Sequence, residues 1–309
     1  MKKISIVIPA HNEEGNVALV HEKIKEVFSG LNNYDFEIIF VNDGSRDNTQ
    51  QKLEELSRQF DEVKYIEFSR NFGHQPAVKA GMDNAHGNAV ISMDGDLQHP
   101  PELIPELIRK WEEGYDVVYT IRTYPKEISF FKRMTSDFFY KLLSRLSDVN
   151  LTKGGGSDFR LLDANAVEVM RNFTEDDLFL RGLTSWMGFR QTGIEFTAAE
   201  RLSGESSYNL KKMIRFAFTG ITAFSVKPLY IAAYLGFLFS GISVVGYGLY
   251  VIYAFLAKTE ISGWASLIMT IVFFGGLQLI ILGIIGIYLG KIFKQVKERP
   301  NYIIKNKNF

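Results

Sequence analysis

"AVISMDGDLQHP", residues 89–100, runs a short uncharged segment straight into two carboxylates that are separated by one residue. A run of this length and polarity reads as a strand buried on both faces, ending at a rim that carries polar groups. The same rhythm holds on either side. Ile4–Ile8, Phe36–Asn42, Val63–Phe68, Ala89–Met93 and Asp116–Thr120 are short and mostly apolar, and the stretches between them, Gly15–Ser29, Asn48–Phe60, Gln75–Ala85 and Pro101–Glu113, are helix-length and amphipathic. Strands of this kind alternating with helices predict an α/β fold around a mainly parallel sheet covered on both faces.

In such sheets ligands sit beyond the carboxyl ends of the strands. The polar clusters fall there: Pro9-Ala10-His11-Asn12-Glu13 after the first strand, Asn42-Asp43-Gly44-Ser45 after the second, and Asp94-Gly95-Asp96 after the fourth. There is no G-x-G-x-x-G after the first strand and no G-x-x-x-x-G-K-[ST] anywhere, which argues against a dinucleotide dehydrogenase or a P-loop NTPase. Asp94 and Asp96 in one small volume would repel unless a cation lay between them. Mg²⁺ and Mn²⁺ favour oxygen ligands, and Mg²⁺ takes one or two carboxylates together with substrate phosphates; Gln98 offers a third oxygen. Taken alone, D-x-D is most often an Asp-capped turn, and the location at the rim is what favours the metal.

The chain has 309 residues, with 35 basic residues balancing 35 acidic ones, so net charge points to no nucleic-acid partner. The absence of cysteine excludes disulfides, thiolate ligands and a cysteine nucleophile. At the N-terminus two lysines precede only Ile4–Ile8 before Pro9, which is a strand and no signal peptide. Later the hydropathy changes: residues 228–257 and 261–290 contain no charge. Each stretch is long enough as a helix to cross the roughly 30 Å hydrocarbon core. Lys291, Lys294, Lys297, Arg299, Lys305 and Lys307 crowd the far flank, whereas the connector holds only Lys258 and Glu260. Basic flanks favour the cytoplasm, so both termini and the N-terminal region are expected there, in a multi-pass protein. "ISFFKRMTSDFFYKLLSRL", about 128–146, and the segment 210–226 have the basic amphipathic character of interfacial helices. The expected division is a catalytic domain over 1–209, a juxtamembrane helix over 210–226, membrane helices within 227–290 and a basic cytosolic tail over 291–309.

Four ordered motifs carry a resemblance. Pro9-Ala10-His11-Asn12-Glu13 and Val41-Asn42-Asp43-Gly44-Ser45 resemble the opening motifs of family 2 glycosyltransferases. Asp94 to Glu102, D-G-D-L-Q-H-P-P-E, and Arg201 to Tyr208, R-L-S-G-E-S-S-Y, resemble the dolichol-phosphate mannose synthase branch, most of all its polyprenyl-phosphate (bactoprenol) glucosyltransferases. The resemblance implies a GT-A-type fold and inverting transfer of a hexose, glucose first, from a UDP-sugar to polyprenyl (undecaprenyl) phosphate at the bacterial cytoplasmic membrane. GDP-mannose, UDP-N-acetylglucosamine, UDP-galactose and a UDP-aminoarabinose remain alternative donors, and a non-catalytic scaffold is the alternative of another class.

It also implies roles. Pro9, His11, Glu13 and Asp43 would hold the nucleotide, Asp94 and Asp96 with Gln98 the Mg²⁺ or Mn²⁺, and Arg122 and Arg201 the donor diphosphate or acceptor phosphate, a task suited to bidentate guanidinium groups. Arg160, Ser206 and Tyr208 join Arg201 on the acceptor side, and Asp158 lies at the sugar–acceptor junction, as a general base, a sugar-hydroxyl partner or a helix cap. Trp186 has no Q-x-x-R-W context, which favours a single transfer over chain extension. Gly286 and Gly290 stand at G-x-x-x-G spacing, and with the resemblance they imply a homo-oligomer, a tetramer being one form.

Overall fold

The computed structural model describes residues 1–123, 157–176, 178–197, 225–257 and 263–309. The amphipathic helix expected over 128–146, most of 210–226 and the connector 258–262 lie outside the described residues.

Strands β1 (Lys2–Ala10), β2 (Tyr34–Asn42), β3 (Val63–Phe68) and β4 (Ala89–Ser92) are parallel to one another, as the expected order of strand and helix requires. Four more strands extend the sheet: β5 (Val117–Thr123), β6 (Arg160–Asp163), β7 (Gln191–Thr197) and β8 (Ile304–Lys307). The spatial order is β7-β5-β6-β4-β1-β2-β3-β8, with β6 antiparallel to both β4 and β5, and β8 antiparallel to β3. The sheet is therefore mixed but mainly parallel, with the reversal at β4–β6 beside the D-x-D motif.

Alternation along the strands divides the core in two. Ile4, Ile6 and Ile8 of β1, with Ile38 and Phe40 of β2, pack against α1 (Val17–Ser29), α2 (Thr49–Gln59) and α4 (Ile104–Glu112). Val7, Ile39 and Val41 face the opposite side, where α3 (His74–Asn84), α5 (Ala164–Arg171) and α6 (Leu180–Trp186) cover them. Each such buried aliphatic side chain contributes about 2 kcal/mol. The α3 helix sits so close to the sheet that a Cβ on Gly81 would fall 2.1 Å from Val7 Cγ1. Close packing here fixes the helix whose first residue reaches the rim.

Two long helices leave this body: α7 (Lys227–Ala257) and α8 (Trp264–Val296). They run antiparallel, with Phe239 against Phe273 and the Tyr288 hydroxyl donating to Ser225 O at the domain end. Their apolar side chains face outward, Phe255 at 83% and Leu279 at 71% exposure. A helix apolar all round needs a protein core or lipid around it; these lack the former, consistent with membrane association. The uncharged run ends at Gly290, yet α8 continues to Val296, because hydrocarbon thickness limits apolar residues and does not limit helix. Residues 304–307, read from sequence as part of a basic tail, form a strand.

At the amino end of the sheet, Glu37 is 1% exposed and accepts from Ser5 Oγ (2.6 Å) and from the ammonium groups of Lys64 and Lys3, the last at 2.8 Å. Burial opposes its ionisation, but the hydrogen bonds from Lys3, Lys64 and Ser5 prevail and hold its pKa at about 2, below the ordinary 4.5. A carboxyl depressed on folding stabilises above its unfolded pKa and loses that contribution as pH falls through the folded value. Glu37 should therefore contribute about 3 kcal/mol at neutral pH. Thermal melts should show the stability gap between wild type and Glu37→Gln closing as pH is lowered from about 4.5 towards 2.

Candidate active site

The loops after β1 and β2 are tied together by hydrogen bonds that their backbone N–H groups donate. Asp43 N donates to Ala10 O (2.9 Å), Asn12 N to Ser45 Oγ (3.0 Å), Arg46 N to Asn12 Oδ1 (2.8 Å) and Glu13 N to Thr49 Oγ1 (2.9 Å). Asn12 adopts φ +58°, a conformation its short amide tolerates. Gly44 has φ +61°, and a Cβ there would meet Arg70 C and Asn71 N at 2.5 Å, so only glycine lets the 70–73 segment close over the turn. Asp43 is buried; its Oδ1 accepts from Phe72 N (2.6 Å) and its Oδ2 from Gly73 N (2.9 Å). Its carboxylate thus shapes the cleft wall as well as facing it. His11 donates through Nδ1 to Asp43 O (2.8 Å), and Asn71 Nδ2 lies 3.3 Å from Nε2, so the imidazole plane is fixed.

Pro9, His11, Glu13, Asp43, His74, Asp94 and Asp96 line one cleft of about 360 Å³ at the carboxyl end of the sheet. The D-x-D turn is built with strain. Leu97 has φ +57°, which costs on the order of 1 kcal/mol in a non-glycine residue. Its side chain packs on the core, and Gln98 N donates to Asp96 Oδ1 (3.0 Å), which together hold the turn. Gln98 is half-buried and not part of the cleft lining.

Asp94 is held from behind. Its N–H donates to His99 Nδ1 (3.1 Å), so the ring proton is on Nε2, which donates to Ser157 Oγ (2.6 Å). His99 also stacks on Phe159 at 5.4 Å. One neutral imidazole thereby joins the D-x-D turn to the segment carrying Asp158. Burial, aided by the charges of Asp158 and Asp96, pushes the Asp94 carboxyl up against the opposing pull of His74.

Asp158 is buried and receives Arg181 bidentately, Nε to Oδ1 at 3.0 Å and Nη2 to Oδ2 at 2.7 Å. His74 Nε2 stands between the two acids, 3.5 Å from Asp94 Oδ1 and 3.4 Å from Asp158 Oδ2. Burial favours the neutral acid, but the hydrogen bond from His74 and the Arg181 pair outweigh it, so Asp158 stays well below the usual carboxylate range. For His74 burial works against charge, and the bond to Asp158 with the charges of Asp94 and Asp158 turns the balance upward. Arg160 lies behind Asp158, 4% exposed, donating to Thr184 Oγ1 and Ser157 O at 2.9 Å; burial lowers its pKa to about 10.

Of the residues singled out from sequence, Pro9, His11, Glu13, Asp43, Asp94 and Asp96 meet at the cleft, and Asp158 adjoins it. Arg122 is on β5, in register with Phe196 of β7. Arg201, Ser206 and Tyr208 lie outside the described residues. The sequence reading assigned no role at the site to His74 or Arg181. The glycine at 73, with φ +110° just before α3, was a signal that His74 starts a helix at the rim; Arg181 carried none.

A divalent cation fits this chemistry. Asp94 Oδ1 is buried and has no hydrogen-bond partner, and Asp96 is exposed beside it. Among the described residues no three His, Asp or Glu side chains form a metal-sized cluster, so protein ligation would rest on the two carboxylates with substrate oxygens completing the shell.

Residues 5–169 match the family described as glycosyl transferase family 2, and the chain belongs to that family. It is a glycosyltransferase built on a mainly parallel mixed sheet covered by helices. An uncharacterized glycosyltransferase of Bacillus subtilis, YkcC, is 47% identical over 97% of this chain and 93% of its own. The bactoprenol glucosyl transferase of Shigella phage SfV is 40% identical over 98% of each chain, and a prophage bactoprenol glucosyl transferase homolog of Escherichia coli K12 is 38% identical over 98% of each.

The Asp158–Arg181 pair sets a testable stability. Arg181→Met leaves a buried carboxylate with only His74 and the more distant Arg160, at 3.9 Å, and as Arg181 is itself 34% exposed the cost should be about 2 kcal/mol. Adding Asp158→Asn should restore more than half of the lost melting temperature.

Proposed function

We propose that this glycosyltransferase moves a hexose, glucose first, from a UDP-sugar to polyprenyl phosphate at the cytoplasmic face of a bacterial membrane, with inversion at the anomeric carbon. The observation that carries the reading is the buried Asp94 Oδ1, which has no hydrogen-bond partner, beside Asp96 in a cleft that adjoins Asp158, an acid already neutralised by Arg181. Near-full-length similarity to proteins named bactoprenol glucosyl transferase supports the acceptor class.

The nucleotide would lie against Pro9, His11, Glu13 and Asp43, with the fixed imidazole of His11 offering a flat face to the base. Asp94 and Asp96 would hold Mg²⁺ or Mn²⁺, with substrate oxygens in place of the Gln98 oxygen expected from sequence. Bound there, the ion offsets charge on the donor diphosphate as the sugar leaves. His74, between two acids that favour its charged form, faces the same space. The acceptor phosphate is already an anion, so orientation matters more than removal of a proton. Asp158, kept ionised by Arg181 and His74, suits a role in fixing Arg181 and a sugar hydroxyl better than that of a base. Arg122 and Arg201 are assigned to phosphate, with Ser206 and Tyr208 on the acceptor side; Arg160, expected there from sequence, is instead buried behind Asp158 and braces Ser157 and Thr184.

In this reading the N-terminal domain and both termini are cytosolic, α7 and α8 cross the bilayer, and the protein assembles as a homo-oligomer. The test is incubation of purified protein with undecaprenyl phosphate, Mg²⁺ and a panel of radiolabelled UDP- and GDP-sugars. Label from UDP-glucose should enter the lipid phase, EDTA should abolish it, and Asp94→Asn and Asp96→Asn should each lower it about a hundredfold or more. Label from another donor would reassign the sugar, and wild-type turnover in either variant would remove the metal assignment.

A further inference from the structure

The last residues of the chain do not trail from the membrane helix. Lys297 N and Glu298 N donate to Lys294 O and Gln295 O, Glu298 turns to φ +48°, and Pro300 bars further helix, so the chain folds back. Ser69 N then donates to Ile303 O (3.0 Å), and β8 adds antiparallel to the β3 edge, Phe68 opposite Ile304 and Ile66 opposite Lys307. Tyr302 stacks on Phe68 at 5.3 Å, and Lys305 Nζ donates to Glu67 Oε1 at 2.6 Å.

Two contacts reach α3. Tyr302 OH donates to Asp83 Oδ2 (2.8 Å), which also holds the buried Lys79, and Lys307 Nζ donates to Asn84 Oδ1 (3.1 Å). The other end of α3 is His74, in the cleft. A second clamp sits at the domain end of α8: Gln295 accepts from Asp176 N (3.0 Å) and donates to Thr174 O (3.1 Å), and Lys294 pairs with Asp176 at 3.4 Å. An edge strand, a stacked ring and a side-chain clamp thus bind one membrane helix to the sheet and to the helix that presents His74.

From this we infer that the C-terminal strand is a positioning element, which fixes the height and tilt of the donor cleft over the lipid surface where the acceptor phosphate lies. The inference rests on the proposed lipid-phosphate acceptor. A long isoprenoid in a bilayer presents its phosphate at one depth, whereas a short one in detergent can diffuse to the cleft. Only the former needs the domain held in place.

The test inserts a flexible Gly-Ser segment between Pro300 and Asn301 of the full chain, which leaves β8 on its edge and slackens the link to α8. Transfer to undecaprenyl phosphate in phosphatidylethanolamine–phosphatidylglycerol liposomes should fall about tenfold or more, while transfer to a short isoprenyl phosphate in detergent stays within about twofold. Equal retention of both activities, or equal loss, would overturn the inference; a wild type that labels neither acceptor would instead overturn the proposed function. A readout independent of activity is energy transfer from a dye on Asp61→Cys, the only thiol in a cysteine-free chain, to headgroup-labelled lipid. The wild type should give a narrow distance distribution and the insertion variant a broad one; identical distributions would overturn the inference.

Discussion

Three carboxylates gathered at one rim, Asp94, Asp96 and Asp158, impose the constraint on which the site depends. Like charges brought out of water must be neutralised or protonated. The protein answers differently for each. Asp158 receives a bidentate guanidinium and a neighbouring imidazole, Asp96 remains exposed and ties down its own turn, and Asp94 keeps one buried oxygen without a hydrogen-bond partner. That unequal treatment makes the cleft a place where one more cation and the phosphates it accompanies can bind.

The surrounding architecture serves this arrangement. Parallel strands β1, β2 and β4 deliver their polar loops to one end, and the reversed strand β6 places Asp158 across from them. His99 then links the two sides through a single neutral ring. Because α3 is pressed against Val7 at Gly81, His74 is carried to the rim on a rigid element. Rigid support of this kind is what positioning of a donor sugar against an acceptor requires.

Much of this was legible in the sequence. Five near-continuous apolar runs gave away the parallel core, and the two uncharged stretches gave away α7 and α8, because burial on both faces and exposure on all sides each leave a strong local pattern. The glycosyltransferase class followed from motifs that the family match bears out. The strand β6, in "RLLD", is too short and too close to a helix to announce itself, and β8, "IKNK", alternates with charges because it lies on an exposed edge. Arg181 was invisible as a site residue for another reason: its partner is 23 positions away, and only the packing of α6 on the sheet brings them together. Single-residue proximity of that sort leaves no periodic trace.

The most direct measurement of the central claim is Mn²⁺ binding followed by electron paramagnetic resonance, in wild type and in Asp94→Asn, with and without UDP. If Asp94 and Asp96 hold a cation against the nucleotide diphosphate, the wild type binds Mn²⁺ tightly only when UDP is present, and Asp94→Asn loses that coupling while keeping its fold. Equal Mn²⁺ binding by the two proteins, or UDP binding indifferent to the ion in both, would contradict it.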